Sequence, residues 1–427
     1  MDILTRANSF LKDHGMSVDD VRIYEVCENI ISEMQFGLKG KKSSLEMIPT
    51  YVDVPERIKP LDPVVVIDAG GTNFRAALAQ FAKSGEFQVQ STIKTVMPGA
   101  EHYLSKDEFF LAVADIVRDL MGKSDKIGFC FSYPIEIYPN RDGRLIRFVK
   151  EIKAPEVEGE LIGENLLATL DVKKKIVILN DTAATLLAGK AASVTRSFSS
   201  YIGFILGTGC NGSYIESRSS IYKLKENYGH QIINTELGNF NKLHRGVIDI
   251  DLDENTDNPG VNSFEKMISG GYLGELLFRT LRKAADEKLF NKEIAKALKD
   301  IPNIETRDLN DFLISPEGGN ILADLCAKEG ADSRKIFYYI ALNLVERAAK
   351  LSAAALSALC IKSGTGSSGS RPICITAEGS TFYMLKNLRE YTLFHLKQYL
   401  TEQKGINTKI ISVADATIKG AAIAGLS

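Results

Sequence analysis

The sequence predicts an α/β protein made of two halves of similar construction that face each other across a cleft. Three observations carry that expectation. Short β-rich runs alternate with amphipathic helical patterns. A unit of apolar run, glycine-rich turn and apolar run occurs twice, as VVVIDAGGTNFRAALAQF from Val64 and as YIGFILGTGCNGSYIE from Tyr201, roughly 140 residues later. At about 150 residues per domain, the 427 residues give two or three domains, with chain enough for a large core.

In chain order, helical spacing of Val21, Ile23, Val26, Ile30, Ile31 and Met34 predicts an amphipathic helix from Val21 to about Gly37, closed by the polar KGKKSS. Met47 to Asp62 carries three prolines and no clear period. The first strand-turn-strand unit follows, then a helical run DEFFLAVADIVRDLMG, a strand at Lys126–Ser132, a helical run GENLLATL and a strand at Ile176–Leu179. The second unit leads into helical SFEKMISGGYLGELLFRTLRKAADEK and the alanine-rich IFYYIALNLVERAAKLSAAALSALCIK, which reads as a buried helix. A flexible loop at Gly364–Ser370, a strand in PICITAEGS and a helix from near Ala416 complete the chain. The acidic DIDLDEN, Asp249 to Asn255, resembles a calcium loop only superficially. Glu254 replaces the required glycine and Gly260 the closing glutamate, so an acidic surface loop or edge strand is expected.

Composition excludes several classes. Lys and Arg number 52 against 54 Asp and Glu, so no basic field exists to attract nucleic acid. Six scattered cysteines without a C-x-x-C pair read as reduced, mostly buried thiols, and the five histidines lack metal-ligand spacing. The amino-terminal segment has no continuous apolar stretch, and nowhere do 18 uncharged apolar residues run together. A cytoplasmic protein with no membrane partner and no leader helix is expected.

In D-A-G-G-T-N, Asp68 closes a buried strand, and Gly70 and Gly71 allow close backbone approach before Thr72 and Asn73. Such a hairpin suits a polyphosphate, with Asp68 able to hold Mg²⁺ directly or through water. It also occurs as plain structure, a glycine turn with a capping Asp. G-T-G-C-N-G repeats the logic with Gly207, Thr208, Gly209 and Asn211, and the pair together favours phosphate. The strand after it argues against a dinucleotide site, and no G-x-x-x-x-G-K-[ST] occurs. Asn180 and Asp181 stand between a strand and an apolar helix, where Asp181 is either an N-cap or a base for phosphoryl transfer. Glu236 and Glu265, in segments of apolar residues and glycine, suit sugar hydroxyls that both donate and accept. A helix-start charge for Glu265 and a solvent face for Glu236 serve as plain alternatives.

Taken in order, these motifs resemble the hexokinase family of the sugar kinase, actin and heat-shock ATPase superfamily. The likeness runs through LEMIPTYV, IDAGGTNFRAAL, FCFSYPIEI, RFVKEIKAPEVEGE, ILNDTAATLLAG, FILGTGCNGSYIE, NTELGNF, NPGVNSFEKMISGGYLGE, ITAEGSTFY and DATIKGAAIAG, nearly the whole chain. It implies a two-lobed actin-like ATPase fold of duplicated ribonuclease H-like domains. The small domain would take 62–180 plus 416–427 and the large domain 1–61 plus 181–415. The implied activity is ATP-dependent phosphorylation of the 6-hydroxyl of glucose. Mannose, fructose or N-acetylhexosamine are alternative substrates, and a non-catalytic sugar sensor an alternative role. The implied partners are a small hexose and Mg-ATP.

The resemblance assigns Asp181 as general base, with Lys150 beside the transferred phosphoryl group. Ser132, Lys150, Asn180, Asp181, Asn211, Glu236 and Glu265 become sugar ligands. Asp68, Gly70, Gly71, Thr72, Asn73 and Arg75 form the first phosphate hairpin, with Asp68 on the metal side. Gly207, Thr208 and Gly209 form the second, Gly379 and Ser380 the adenosine side, and Asp415, Thr417 and Lys419 a segment near the nucleotide. Val149 stands where the family usually has Thr, one hydroxyl fewer for the sugar, worth roughly 1 kcal/mol. The chain has one copy of each motif and so resembles the single-unit members.

Overall fold

The computed structural model describes residues 3–148, 152–192, 197–224, 228–327 and 331–427. Val149 and Lys150 lie outside them. In chain order the strands are β1 (Ile48–Pro49), β2 (Val64–Gly70), β3 (Asn73–Phe81), β4 (Phe87–Val96), β5 (Lys126–Phe131), β6 (Ile135–Ile137), β7 (Gly143–Leu145), β8 (Lys175–Leu179), β9 (Ser200–Leu206), β10 (Cys210–Ser217), β11 (His230–Asn234), β12 (Ile373–Glu378) and β13 (Thr408–Ile411).

They form one sheet in the order β4-β3-β2-β5-β8 and another in the order β1-β11-β10-β9-β12-β13, with β6 and β7 paired alone. In the first, β3 is antiparallel to β2 and β4, while β5 and β8 run parallel to β2. In the second, β10 is antiparallel to β9 and β11, while β12 runs parallel to both β9 and β13. The repeated unit of the sequence is therefore the same half-sheet built twice. Val64–Ala69 is buried throughout, as a central strand covered on both faces must be. By contrast β4, at the edge, is mostly exposed.

The helices Lys106–Met121 and Ile162–Leu170 contribute to one core against the first sheet. Ser105 and Glu108 close the former in a reciprocal capping box. The helix Ala416–Leu426 packs against β2, β5 and β8, and the helix Asp181–Ala192 packs against β9, β10 and β12. These two helices also pack on each other, so the order through the molecule is sheet, helix, helix, sheet. Their contact is close enough that a Cβ on Gly420 would stand 1.9 Å from the Ala184 carbonyl oxygen. Gly203 of β9 meets the same helix, where a Cβ would stand 2.2 Å from Thr182 O. The long helix Ala331–Lys362 is buried in the second half, as its composition predicts, beneath the helix Ile23–Leu38. No helix among the described residues is long and apolar enough to cross a membrane, and all six cysteines are free and buried.

Three local expectations change. The acidic DIDLDEN is neither loop nor strand but belongs to the helix Val247–Glu254. Its buried face carries Ile248 and Leu252 beside two carboxylates spaced four apart: Asp249 pairs with buried Arg347, and Asp253 binds Lys266 at 2.6 Å and Arg245 at 2.8 Å. Charge on the buried face hid the period. The helical run after Ser263 is two helices, Ser263–Ile268 and Leu273–Asp286, broken where Gly270 and Gly271 donate to Gly207 O and Thr208 O at 2.8 and 3.0 Å. A further helix, Ile3–Asp13, precedes the one predicted from Val21, which spans Ile23–Leu38.

Gly420→Ala is expected to lower unfolding free energy by about 2 kcal/mol or more, because backbone and not a movable side chain fills the space. Gly122→Ala, with nothing within 4 Å of its added Cβ and a helical φ of −67°, is the control and should stay within about 0.5 kcal/mol of the parent. Urea unfolding of both reads the difference.

Candidate active site

The turn joining β2 to β3 is tight because Gly71 takes φ +62°, a left-handed conformation that a side chain disfavours. Tyr133 donates its hydroxyl to Gly71 O at 2.6 Å, and Met97 N–H donates to Thr72 O at 2.9 Å, so the turn is held from both sides. Asp68, buried on β2, faces Arg75 across the hairpin. The Arg75 guanidinium donates to Asp68 Oδ2 from Nε at 3.0 Å and also from Nη2. Nη1 reaches Asp415 Oδ1 at 3.2 Å and Nη2 reaches Thr417 Oγ1 at 3.1 Å, while the Thr417 hydroxyl donates to Asp68 at 2.9 Å. The hairpin is thereby fastened to the start of the helix Ala416–Leu426.

These groups open onto a cavity of about 880 Å³ lined by Asp68, Gly70–Arg75, Lys94, Thr95, Ser132, Asp181, Thr185, Ile205, Glu378 and Asp415–Thr417. Both sheets contribute, so the cavity is a cleft between the halves. Gly70 lies directly against Ser132, whose N–H donates to Ala69 O at 2.9 Å. Asp181 is the first residue of its helix, and its Oδ1 accepts from Thr182 N–H at 2.7 Å, which fixes the carboxylate. Buried Asn180 also caps this helix, through Thr182 N–H at 2.8 Å. Beneath them Cys130 is held as a thiol, its pKa pushed far up by burial and then by the charges of Asp68 and Asp181.

Asn211, Glu236 and Glu265 stand outside that lining and form a cluster on the second half. Asn211 Nδ2 donates to Asn234 Oδ1 at 2.9 Å, and Asn234 Nδ2 donates to Glu236 Oε1 at 2.7 Å. Asn211 Oδ1 accepts from Gly212 and Leu237 N–H at 2.7 and 3.2 Å, which sets the amide's orientation. Glu265 Oε2 accepts from Cys210 N–H at 2.8 Å. Burial pushes the Glu236 carboxyl up to about 7; the Asn234 hydrogen bond opposes this, and the charges of Glu46, Asp181 and Glu265 reinforce it. Glu236 is thus electrostatically in touch with Asp181, and the solvent-face alternative falls.

The second glycine turn rests on Glu265, since a Cβ on Gly209 would come within 2.7 Å of its carboxylate. Gly207 lies beside Gly379 and Ser380, and Thr381 Oγ1 donates to Gly207 O at 2.8 Å. Thr208 is exposed. Lys419 sits apart from the cavity lining, its Nζ 5.9 Å from the centroid of the Phe87 ring. Sequence reasoning did not single out Asn234, Tyr133 or Glu378. Asn234, two residues before Glu236 in the same segment, carried a signal; the others are placed by tertiary structure alone.

Two half-sheets of one design, a glycine turn from each, and a carboxylate at the head of a helix between them define a two-lobed sugar-kinase class of phosphotransferase. Two hexokinase family models match the chain, one over residues 9–191 and the other over residues 201–427. Hexokinase-1 of Schizosaccharomyces pombe is 28% identical over 98% of this chain and 91% of its own length. A hexokinase of Schistosoma mansoni is 30% identical over 72% of this chain and 71% of its own. The solved structure of a Schistosoma mansoni hexokinase complexed with glucose is similar with a TM-score of 0.78 at 25% identity, covering 99% of this chain and 98% of that one. The chain belongs to the hexokinase family, the ATP-dependent phosphotransferases of hexoses.

The Glu236 carboxyl gives a test of the site's electrostatics. Its folded pKa of about 7 lies above its ordinary 4.5, so the stability it lends is full below about 4.5 and is lost as pH rises through about 7. Glu236→Gln, neutral throughout, should gain stability relative to the parent between about pH 5 and about pH 8. Denaturant unfolding at the two pH values checks this; an equal difference at both would remove the perturbed carboxyl.

Proposed function

We propose that the protein transfers the γ-phosphoryl group of ATP to the 6-hydroxyl of glucose, with Asp181 as the general base. The observation that carries this is the position of Asp181: it lines the cleft with the first glycine hairpin, and its charge is felt by Glu236 in the cluster assigned to the sugar. A base there lies between acceptor and donor, which in-line transfer requires. The cluster has the chemistry for a hexose. Glu236 and Glu265 accept from hydroxyls, and Asn180 and Asn211 both accept and donate.

Asp181 takes the hydroxyl proton as the oxygen attacks phosphorus, and the Thr182 N–H holds its other oxygen in place. Lys150, by resemblance, stabilises the charge that develops on the phosphoryl oxygens. The backbone of Gly70–Asn73 and of Gly207–Gly209 approaches the polyphosphate, and Gly379 and Ser380 the adenosine. Mg²⁺ would arrive with ATP and neutralise charge on the β- and γ-phosphates. The oxygens of Asp68 and Asp415 suit it. Asp68 Oδ2 already serves Arg75 and Thr417, and Asp68 would hold the ion directly or through water.

Ser132 belongs to the first half, and Asn211, Glu236 and Glu265 to the second. A sugar that bonds both would draw the lobes together and exclude water, a competing nucleophile. We divide the lobes at 62–180 plus 416–427 and 1–61 plus 181–415, so that the two central helices lie at their boundary. The six buried free thiols support a reducing, cytoplasmic location.

ADP release from Mg-ATP is measured with glucose, fructose, mannose and N-acetylglucosamine. Glucose is expected to stimulate it most strongly, with the 6-phosphate as product. Asp181→Ala should lower kcat by about 10² or more while glucose binding changes less than about threefold. Turnover without sugar, or near-normal kcat in this variant, counts against the assignment.

A further inference from the structure

We propose that Asn234 is a positioning residue for the sugar, holding the Glu236 carboxylate as an acceptor and the Asn211 amide as a donor; this rests on the reading of Asn211 and Glu236 as sugar ligands. Asn234 ends β11 opposite Ser213 of β10, and Asn211 lies two residues before Ser213. Side chains two apart on a strand, and those directly opposite, share a face of the sheet, so register brings the two amides together.

Backbone donors set the direction of the hydrogen bonds. The N–H groups of Gly212 and Leu237 donate to Asn211 Oδ1 at 2.7 and 3.2 Å, and an N–H can only donate. The Asn211 amide nitrogen is thereby turned to Asn234, which meets it with Oδ1 at 2.9 Å. The Asn234 nitrogen then donates to Glu236 Oε1 at 2.7 Å, and the Glu236 N–H returns to Asn234 Oδ1 at 3.4 Å. Asn234 is 3% exposed, whereas Asn211 and Glu236 are half-buried, so the hidden amide acts through the two groups that a ligand can reach. Among the described residues both amide nitrogens address Oε1, at 2.7 and 3.5 Å, which leaves Oε2 for a sugar hydroxyl. Burial and the charges of Glu46, Asp181 and Glu265 favour the protonated carboxyl, and the Asn234 hydrogen bond favours the ionised one. An asparagine that only satisfied Asn211 at a strand end would make the first of these contacts and have no bearing on the sugar.

Calorimetric titration with glucose, and separately with a non-hydrolysable ATP analogue and Mg²⁺, separates the two roles without turnover. Asn234→Asp keeps the shape and the acceptor for Asn211 but replaces the donor to Glu236 with a carboxylate. We expect its Kd for glucose to rise about tenfold or more at about pH 8, while the Kd for the analogue stays within about twofold. At about pH 6 one proton bridges the new carboxylate and Glu236, so the ratio of variant to parent Kd for glucose should fall about threefold or more. The proposal is overturned if this variant binds glucose within about twofold of the parent at the higher pH, if both ligands weaken together, or if its deficit is the same at both pH values. Should the added charge prevent folding, the neutral Asn234→Ala decides. Without the hydrogen bond its Glu236 carboxyl titrates higher, so the pH below which glucose binding weakens should move up from the parent's; an unmoved limb overturns the proposal. A parent protein that does not bind glucose overturns the sugar reading and this proposal with it, whereas variants that bind glucose as the parent does overturn the role of Asn234 alone.

Discussion

The molecule depends on two helices whose backbones nearly touch. Asp181–Ala192 belongs by its packing to the second sheet and Ala416–Leu426 to the first, and the halves meet where Gly420 lies on the Ala184 carbonyl. Small residues along both helices make this approach possible: Ala183, Ala184 and Ala188 on one, Gly420, Ala421 and Ala424 on the other, all buried. Close backbone contact leaves no room for large side chains to adjust. Any displacement of one helix is therefore passed to the other, or the contact is lost.

The same contact organises the chemistry, because both helices begin at the cleft. Asp181 opens one and Asp415 caps the other, and the residues at both starts line the cavity. Two positive helix-dipole ends thus converge on the cleft. Asp68, Arg75 and Thr417 fasten the glycine hairpin to the second of these helix starts, so hairpin and helix hold a common position.

Such a site is costly to assemble. Glu236 takes φ of +54°, a left-handed conformation that a glutamate adopts only when its surroundings demand it, while Asn262 and Asp415, residue types that enter this region more readily, take +55° and +53°. Glu236 also carries a carboxyl pushed up to about 7 by burial among other acids. A group that donates a hydrogen bond to Glu236 would offset the cost of burying its charge.

How much of this was legible follows from where each signal sits. The glycine turns, Asp181 and the two glutamates belong to local segments whose strand, turn and helix patterns are complete in a few residues, and those elements form where the segments predict them. Asp249 and Asp253 mislead because helical period is read from apolar residues, and here half of the buried positions carry charges, neutralised by Arg347, Lys266 and Arg245. The Arg75 contacts with Asp415 and Thr417 join residues at opposite ends of the chain. The role of Arg75 as a tie between hairpin and helix arises only when the carboxyl-terminal segment has folded against β3. Such a tie between the two ends of the chain is a property of the folded charge arrangement that no local pattern records.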